Sequence, residues 1–259
     1  MKPEELVNHF KDHWANSANF DQYPDLVFKS AELLIPQLIE VVKAGSNHQM
    51  KVMKNTDFHS EHHLRLQKIL NRYGSDKATR HGYHLFYCFM LEQLGLERDI
   101  RFFEIGLGTN NPALVSTMGV NGRPGASLRA FKEFLPNGKI YGADVDKDIL
   151  FTEDRIQTSY VDQLDANTFK QLEFAEKTFD VIIDDGLHSI GANLNTLLFG
   201  LSHVSPGGWI VIEDIKKNLK LFWNIIDQIL TMNPTYQTCF VECPRQCLYV
   251  VHRNKTAFD

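Results

Sequence analysis

Two short runs in the chain carry residues able to do chemistry together. One is Phe179-Asp180-Val181-Ile182-Ile183-Asp184-Asp185-Gly186-Leu187-His188-Ser189; the other is Ile212-Glu213-Asp214, which follows Pro206-Gly207-Gly208. Each is an apolar stretch ending in acids, the form of a buried strand whose tip opens at the carboxyl edge of a sheet. If the two strands are neighbours, Asp185, His188, Glu213 and Asp214 meet at one edge. Three carboxylates in one place repel unless a cation or protons intervene. An oxygen-only set selects a hard ion, Mg²⁺ or Mn²⁺, with positions left for water and substrate. Zinc fits less well, because thiolates and multiple imidazoles are missing there. His188, three residues past Asp185, faces the same pocket without being a ligand. It suits a general base that takes the proton of an acidified hydroxyl, worth ~10²–10⁴ in rate. The bland alternative is that Asp184 braces a turn and Glu213-Asp214 cap a following helix.

A second signal points to a cofactor. Phe103-Glu104-Ile105-Gly106-Leu107-Gly108-Thr109 is a strand running into Gly-x-Gly, which lets the backbone turn and approach a ligand closely. A dinucleotide fingerprint wants a third glycine and an immediate helix start for pyrophosphate. Here Asn110-Asn111-Pro112 follow, and the next helical pattern waits until about Ala126. A cofactor without phosphates fits better than a dinucleotide. The next strand ends Tyr141-Gly142-Ala143-Asp144-Val145-Asp146, with Asp144 placed to accept from both ribose hydroxyls and Asp146 behind it. Residues 110–125 read as an inserted loop. Val161-Asp162-Gln163-Leu164-Asp165 offers polar groups for an adenine ring, although Asp162 and Asp165 could equally cap a helix at Ala166.

The elements that must position these residues alternate. Strands are expected at 100–105, 139–143, 156–160, 179–183, 209–212, 238–241 and 248–252. Helices are expected at 127–134, 166–175, 191–201 and 215–232. Alternation implies parallel βαβ units. The last two strands are joined too closely for a crossover and form an antiparallel hairpin. Residues 1 to about 70 carry no strand pattern. Leu33, Leu34, Leu38, Ile39, Val41 and Val42, and then Leu64, Leu66, Ile69 and Leu70, recur at helical spacing, with an exposed connection at 44–47. The expected division is a helical cap or oligomerisation segment over 1–70 and an α/β domain over 71–259.

Composition sets further bounds. The chain has 259 residues, 43% of them hydrophobic, enough for one good-sized α/β core. Its formal charge is −5, and no basic run exceeds Lys216-Lys217, which argues against a nucleic-acid partner. Met1-Lys-Pro-Glu-Glu-Leu is too polar for a signal peptide, and no 18-residue apolar stretch predicts a membrane span. Four cysteines, Cys88, Cys239, Cys243 and Cys247, are too few for a disulfide scaffold and suit reduced thiols in the cytoplasm. The clustered His59, His62 and His63 read as a solvated face, and Cys239, Cys243 and Cys247 as structural thiols.

Taken together, Glu104-Ile-Gly-x-Gly, Tyr141-Gly-Ala-Asp-Val-Asp, Asp162-Gln163, Asp184-Asp-Gly-x-His and Gly207-Gly-x-x-x-x-Glu-Asp resemble class I methyltransferases. Within that class they are most similar to the metal-dependent sugar O-methyltransferases of macrolide tailoring, of the mycinamicin and tylosin type. The resemblance covers roughly residues 72–215. It implies a Rossmann-like, seven-stranded, mostly parallel sheet with the C-terminal hairpin, and S-adenosylmethionine over the first three strands. By it, Asp185, Glu213 and Asp214 are the Mg²⁺ ligands and His188 the base, with Asp185 also in the catalytic set. Glu104, Gly106, Gly108, Asp144, Asp162, Gln163 and Asp184 are the cofactor residues. Tyr73-Gly-Ser-Asp-Lys-Ala-Thr-Arg-His-Gly-Tyr83-His84 resembles the segment preceding the fold in such enzymes. It adds Tyr83 to the cofactor set and Asp76, Lys77 and His81 to the pocket; a loop packing on the sheet is the plainer reading.

The expected activity is methyl transfer to a hydroxyl of a sugar-containing small molecule, a nucleotide-linked sugar or a glycoside, in a homo-oligomer. A catechol-like diol satisfies the same chelation geometry. An NAD-dependent dehydrogenase is the rival from another class, and it leaves the acid cluster unexplained. A non-catalytic relative with a vestigial site is the third reading, and the intact acid and histidine set argues against it.

Overall fold

The computed structural model describes residues 37, 38, 40, 41 and 48–255, and all statements below concern these. One sheet of nine strands organises them. In chain order the strands are β1 (Val52–Lys54), β2 (Arg101–Ile105), β3 (Lys139–Asp144), β4 (Thr152–Glu153), β5 (Ile156–Tyr160), β6 (Phe179–Asp184), β7 (Val204–Ile215), β8 (Tyr236–Glu242) and β9 (Cys247–Arg253). Their spatial order is β1-β8-β9-β7-β6-β2-β3-β5-β4. The seven expected strands form the body of the sheet, and the two short strands β1 and β4 extend its edges. β2, β3, β5, β6 and β7 pair in parallel, whereas β9 runs antiparallel between β7 and β8 as the close hairpin connection requires.

Strand parity divides the core into two layers. Phe102, Ile140, Val181, Ile183, Val211 and Val250 face a cluster shared with α1 (His63–Tyr73), α3 (His84–Leu94) and α4 (Ala126–Phe134). Their neighbours Phe103, Tyr141, Ile182, Ile210, Ile212 and Val251 face α5 (Ala166–Lys170), α6 (Ile190–His203) and α7 (Lys220–Thr231). A sheet covered by helices on both faces demands continuous apolar runs, which is why β6 is buried at every position. The short helix α2 (Asp76–Thr79) lies between α1 and α3.

Three boundaries differ from the sequence reading. Val52–Lys54 pairs in parallel with β8, so the region before residue 70 does contain a strand, too short for a period-2 pattern to show. The helix expected at 215–232 starts only at Lys220, because Glu213, Asp214 and Ile215 continue β7 through an irregular register between Ile212 and Ile215. The helix expected at 166–175 ends at Lys170. Residues 33, 34, 39 and 42 and the connection at 44–47 lie outside the described residues; Leu38 and Val41 are helical and exposed. The thiols of Cys88, Cys239, Cys243 and Cys247 are all free. His62 is held by Glu92 and His63 by the carbonyl of Ser60.

Candidate active site at the carboxyl edge

β6 and β7 are neighbours, with Asp184 paired to Ile212, so their two acidic tips do come side by side. The cleft above them has a volume of about 450 Å³ and is walled by the glycine loop, residues 114–118, Asp144, Asp162, Gln163, Asp185, His188, Glu213 and Asp214. Two of these residues hold backbone conformations that side chains disfavour: His188 at φ 57° and Asp214 at φ 56°. Each such position costs of order 1–3 kcal/mol and persists only where the surroundings enforce it. Here Ser189 caps α6 directly after His188, and the irregular end of β7 carries Asp214.

The four expected acid and imidazole groups converge, but as two overlapping sets. Asp185, His188 and Asp214 form the set on the cleft side; Glu104, Asp185 and Glu213 form a rear set, and Asp185 belongs to both. His188 Nε2 stands 3.6 Å from Asp214 Oδ2 and 3.9 Å from Asp185 Oδ1, too far for a hydrogen bond to either. The rear set surrounds one ammonium. Lys77 Nζ donates to Asp185 Oδ2 at 2.6 Å and to Glu213 Oε1 at 2.7 Å, and lies 3.0 Å from Glu104 Oε1. Tyr87 donates to the same Glu213 oxygen. Tyr83 donates to Asp214 Oδ1 at 2.5 Å, and His81 Nδ1 lies 3.3 Å from that atom.

The electrostatics follow from this crowding. Burial pushes the Glu213 carboxyl well above the ordinary range, and the neighbouring Asp185 adds to the shift. Burial also raises Glu104 and Asp185, against the pull of Lys77. Burial opposes the charge on Lys77, but Asp185, Glu104 and Glu213 outweigh it and hold the ammonium well above its usual value. Burial raises Tyr83 and Tyr87 too, so both stay protonated as donors. Three carboxylates (Glu104, Asp185, Glu213) surround one lysine, and a fourth, Asp214, stands beside them. That surplus of negative charge, with Asp185 and Asp214 open to the cleft, fits a divalent cation held by oxygen.

The expected cofactor residues separate into those that reach the cleft and those behind it. Gly106 and Gly108 line it at φ 95° and 81°; a Cβ on Gly106 would sit 2.0 Å from the Asp185 carbonyl oxygen, so only glycine fits. Asp144 also lines it. Its Oδ2 accepts from Leu107 N at 2.7 Å and its Oδ1 from Asp146 N at 2.9 Å, and the remaining lone pairs are available to hydroxyls. Burial raises its carboxyl. Asp162 and Gln163 line the cleft, although the Gln163 amide is already bonded to Asp184, Thr196 and Leu187 N. Glu104, Asp184 and Tyr83 do not wall the cleft. Glu104 sits under Lys77 and accepts from Ser127; Asp184 is wholly buried, bracing Gln163, Gly186 and Asn193; Tyr83 is turned to Asp214. Strand parity explains Glu104: it shares the face of Phe102, toward α1, α3 and α4.

Asp146 binds Thr109 and the backbone of Asp148, and Asp165 caps α5. Glu213 and Asp214 cap no helix. From the segment before the fold, Asp76 and His81 line the cleft, whereas Lys77 is buried behind it. His81 Nε2 lies 3.4 Å from Asp76, which holds the Asp76 carboxyl below its usual value. Tyr87 and the wall at 114–118 were not foreseen. Tyr87 stands four residues after Tyr83, and that spacing is the one sequence sign of a shared face.

Comparison with known proteins gives consistent neighbours. No family model matches the chain. It is 44% identical over 92 residues to mycinamicin VI 2''-O-methyltransferase of Micromonospora griseorubida, covering 35% of this chain and 23% of that protein. It is 38% identical over 153 residues to demethylmacrocin O-methyltransferase of Streptomyces fradiae, covering 58% and 36% respectively. The chain thus spans about a quarter to a third of the length of these relatives. Among solved structures, the MycE methyltransferase from the mycinamycin biosynthetic pathway, in complex with Mg and SAH, aligns with a TM-score of 0.59 and 26% identity, over 73% of this chain and 55% of that one.

Proposed function

We propose that this chain, whose fold is that of the class I S-adenosylmethionine-dependent methyltransferases, transfers a methyl group to a hydroxyl of a sugar-containing small molecule. The observation that carries this reading is the meeting of Asp185, His188 and Asp214 within one cleft with Gly106, Gly108 and Asp144. The similarity to O-methyltransferases of mycinamicin VI and of demethylmacrocin supports it, as does a solved relative holding Mg and SAH.

S-adenosylmethionine supplies an electrophilic methyl when bound, and Mg²⁺ (or Mn²⁺) supplies charge that acidifies a chelated hydroxyl. The chain's own part is positional. Gly106 and Gly108 would let the backbone approach the donor, and Asp144 would accept from its ribose hydroxyls. Asp185 and Asp214 would hold the ion on the cleft side, with Glu213 as the third acid, its Oε1 already committed to Lys77 and Tyr87. His188 Nε2, engaged in no hydrogen bond, would accept the proton that the acceptor hydroxyl gives up. Holding acceptor and donor in line supplies much of the acceleration.

The test has two parts. Calorimetry with S-adenosylhomocysteine and with NAD should show binding of the first alone; binding of NAD alone would favour a dehydrogenase. A panel of glycosides and nucleotide-sugars, with catechols as controls, should then yield a methylated sugar. A methylated catechol and no methylated sugar would overturn the substrate class.

A further inference from the structure

Each acid at the carboxyl edge is held by one of its two oxygens from behind. Lys77, 2% exposed, takes Asp185 Oδ2 and Glu213 Oε1. Tyr87 donates to the same oxygen of Glu213, and Tyr83, 1% exposed, takes Asp214 Oδ1. The other oxygens of the two cleft-side acids, Asp185 Oδ1 and Asp214 Oδ2, are the ones His188 approaches from the cleft. A carboxylate with one oxygen tied to a buried ammonium or phenol keeps lone pairs on both oxygens, but its plane is fixed with the other oxygen toward the cleft, which disfavours bidentate ligation. Ion size makes this consequential. Ca²⁺ takes six to eight oxygens and accepts bidentate carboxylates, whereas Mg²⁺ demands a tight octahedron and is content with single oxygens and waters.

Resting on the metal-dependent reading above, we infer that Lys77 and Tyr83 are positioning residues that hold the acids with one oxygen each toward the cation, disfavour bidentate ligation and so set the site's preference for Mg²⁺ over Ca²⁺. Neither touches the cleft contents directly; they act through Asp185, Glu213 and Asp214. Lys77 is well built for the task. Its ammonium is enclosed by three carboxylates and fixed at the start of α2, where its own N–H meets Ser75 Oγ at 3.5 Å. It cannot turn away without leaving Glu104 and Glu213 buried with no compensating positive charge. Tyr83 is fixed in the same way by its burial and by its backbone N–H bond to the Lys77 carbonyl at 2.8 Å.

The experiment uses the full chain without acceptor. Mn²⁺ is bound to the site and followed by electron paramagnetic resonance, and Mg²⁺ and Ca²⁺ are titrated in competition. The wild type should prefer Mg²⁺. In Tyr83→Phe and Lys77→Met, Ca²⁺ should gain on Mg²⁺ by about tenfold, the size expected when a charged group loses an orienting hydrogen bond. Lys77→Arg, which keeps a cation with several donors, should retain most of the preference. Lys77→Met leaves Glu104 and Glu213 buried without their cation; if it does not fold, Tyr83→Phe, which loses only a hydroxyl, decides the question. Equal changes in both affinities, leaving the ratio where the wild type has it, would overturn the inference while leaving metal binding standing. No Mn²⁺ binding by the wild type would remove both.

Discussion

Three glycine substitutions should separate by mechanism. In Gly106→Ala, the new Cβ meets the Asp185 carbonyl oxygen at 2.0 Å and Gly186 Cα at 2.8 Å, on a backbone at φ 95°. A left-handed conformation costs an L-residue roughly 1–2 kcal/mol. Relief of the clash must move the Asp185 backbone, which is pinned by its N–H bond to the Ile105 carbonyl at 2.8 Å and whose loss costs about 1 kcal/mol more. Together these give about 2–3 kcal/mol, a fall in Tm of roughly 4–12 °C for a domain of this size. In Gly108→Ala the close contact at 2.1 Å is with Met118 Sδ, the far part of a flexible side chain, so only the φ cost of about 1–2 kcal/mol remains. Gly191 lies in α6 with nothing within 4 Å of an added Cβ, and Gly191→Ala should stabilise by about 0.4–1 kcal/mol. Thermal melts followed by circular dichroism rank the three, and calorimetry with S-adenosylhomocysteine should show affinity lost most in Gly106→Ala. A Gly106→Ala protein as stable as Gly108→Ala, with undiminished cofactor affinity, would refute the coupling of glycine loop and β6 tip.

Two further outcomes are expected. His188→Asn keeps a residue that tolerates the left-handed backbone at this position. It should lose about 10²–10⁴ in turnover with S-adenosylhomocysteine affinity nearly unchanged; wild-type turnover would remove His188 as the base. His84, at the start of α3, is pushed down to about 4 by burial, with its Nδ1 lacking a partner. Its folded pKa lies below the unfolded value near 6.5, so the unfolded chain binds the proton first. Stability is therefore full above pH 6.5 and falls as pH drops toward 4, by roughly 1–3 kcal/mol. Urea melts at pH 7 and 4.5 should show this, and the difference should shrink in His84→Gln; an equal difference in the variant would count against it.

The sheet and the acid tips were legible because they are local. An apolar run ending in acids, such as Val181 to Asp185, says both "strand" and "edge" in a handful of residues. What was hidden depends on partners distant in the chain. The resemblance of its segment places Lys77 at the pocket, but nothing nearby announces that Glu104, Asp185 and Glu213 converge on it from three strands. Glu104 reads as a cofactor residue from its motif, and strand parity places it with Phe102 rather than with Phe103 and Ile105. Val52–Lys54 is too short for periodicity, and only its pairing with β8 makes it a strand. The late start of α7 escaped notice because the residues that delay it, Glu213 to Ile215, obey the geometry of the site rather than helix propensity.

The central claim is that the tips of β6 and β7 hold a divalent cation beside a methyl donor. Its most direct test is methyl transfer from labelled S-adenosylmethionine to an accepted glycoside, run with Mg²⁺, with chelator, and with Mg²⁺ restored, for the wild type and for Asp185→Asn and Asp214→Asn. The prediction is transfer that stops with chelator and returns with Mg²⁺ in the wild type, and that stays low in both variants. Undiminished transfer in chelator, or wild-type rates in both variants, would contradict it.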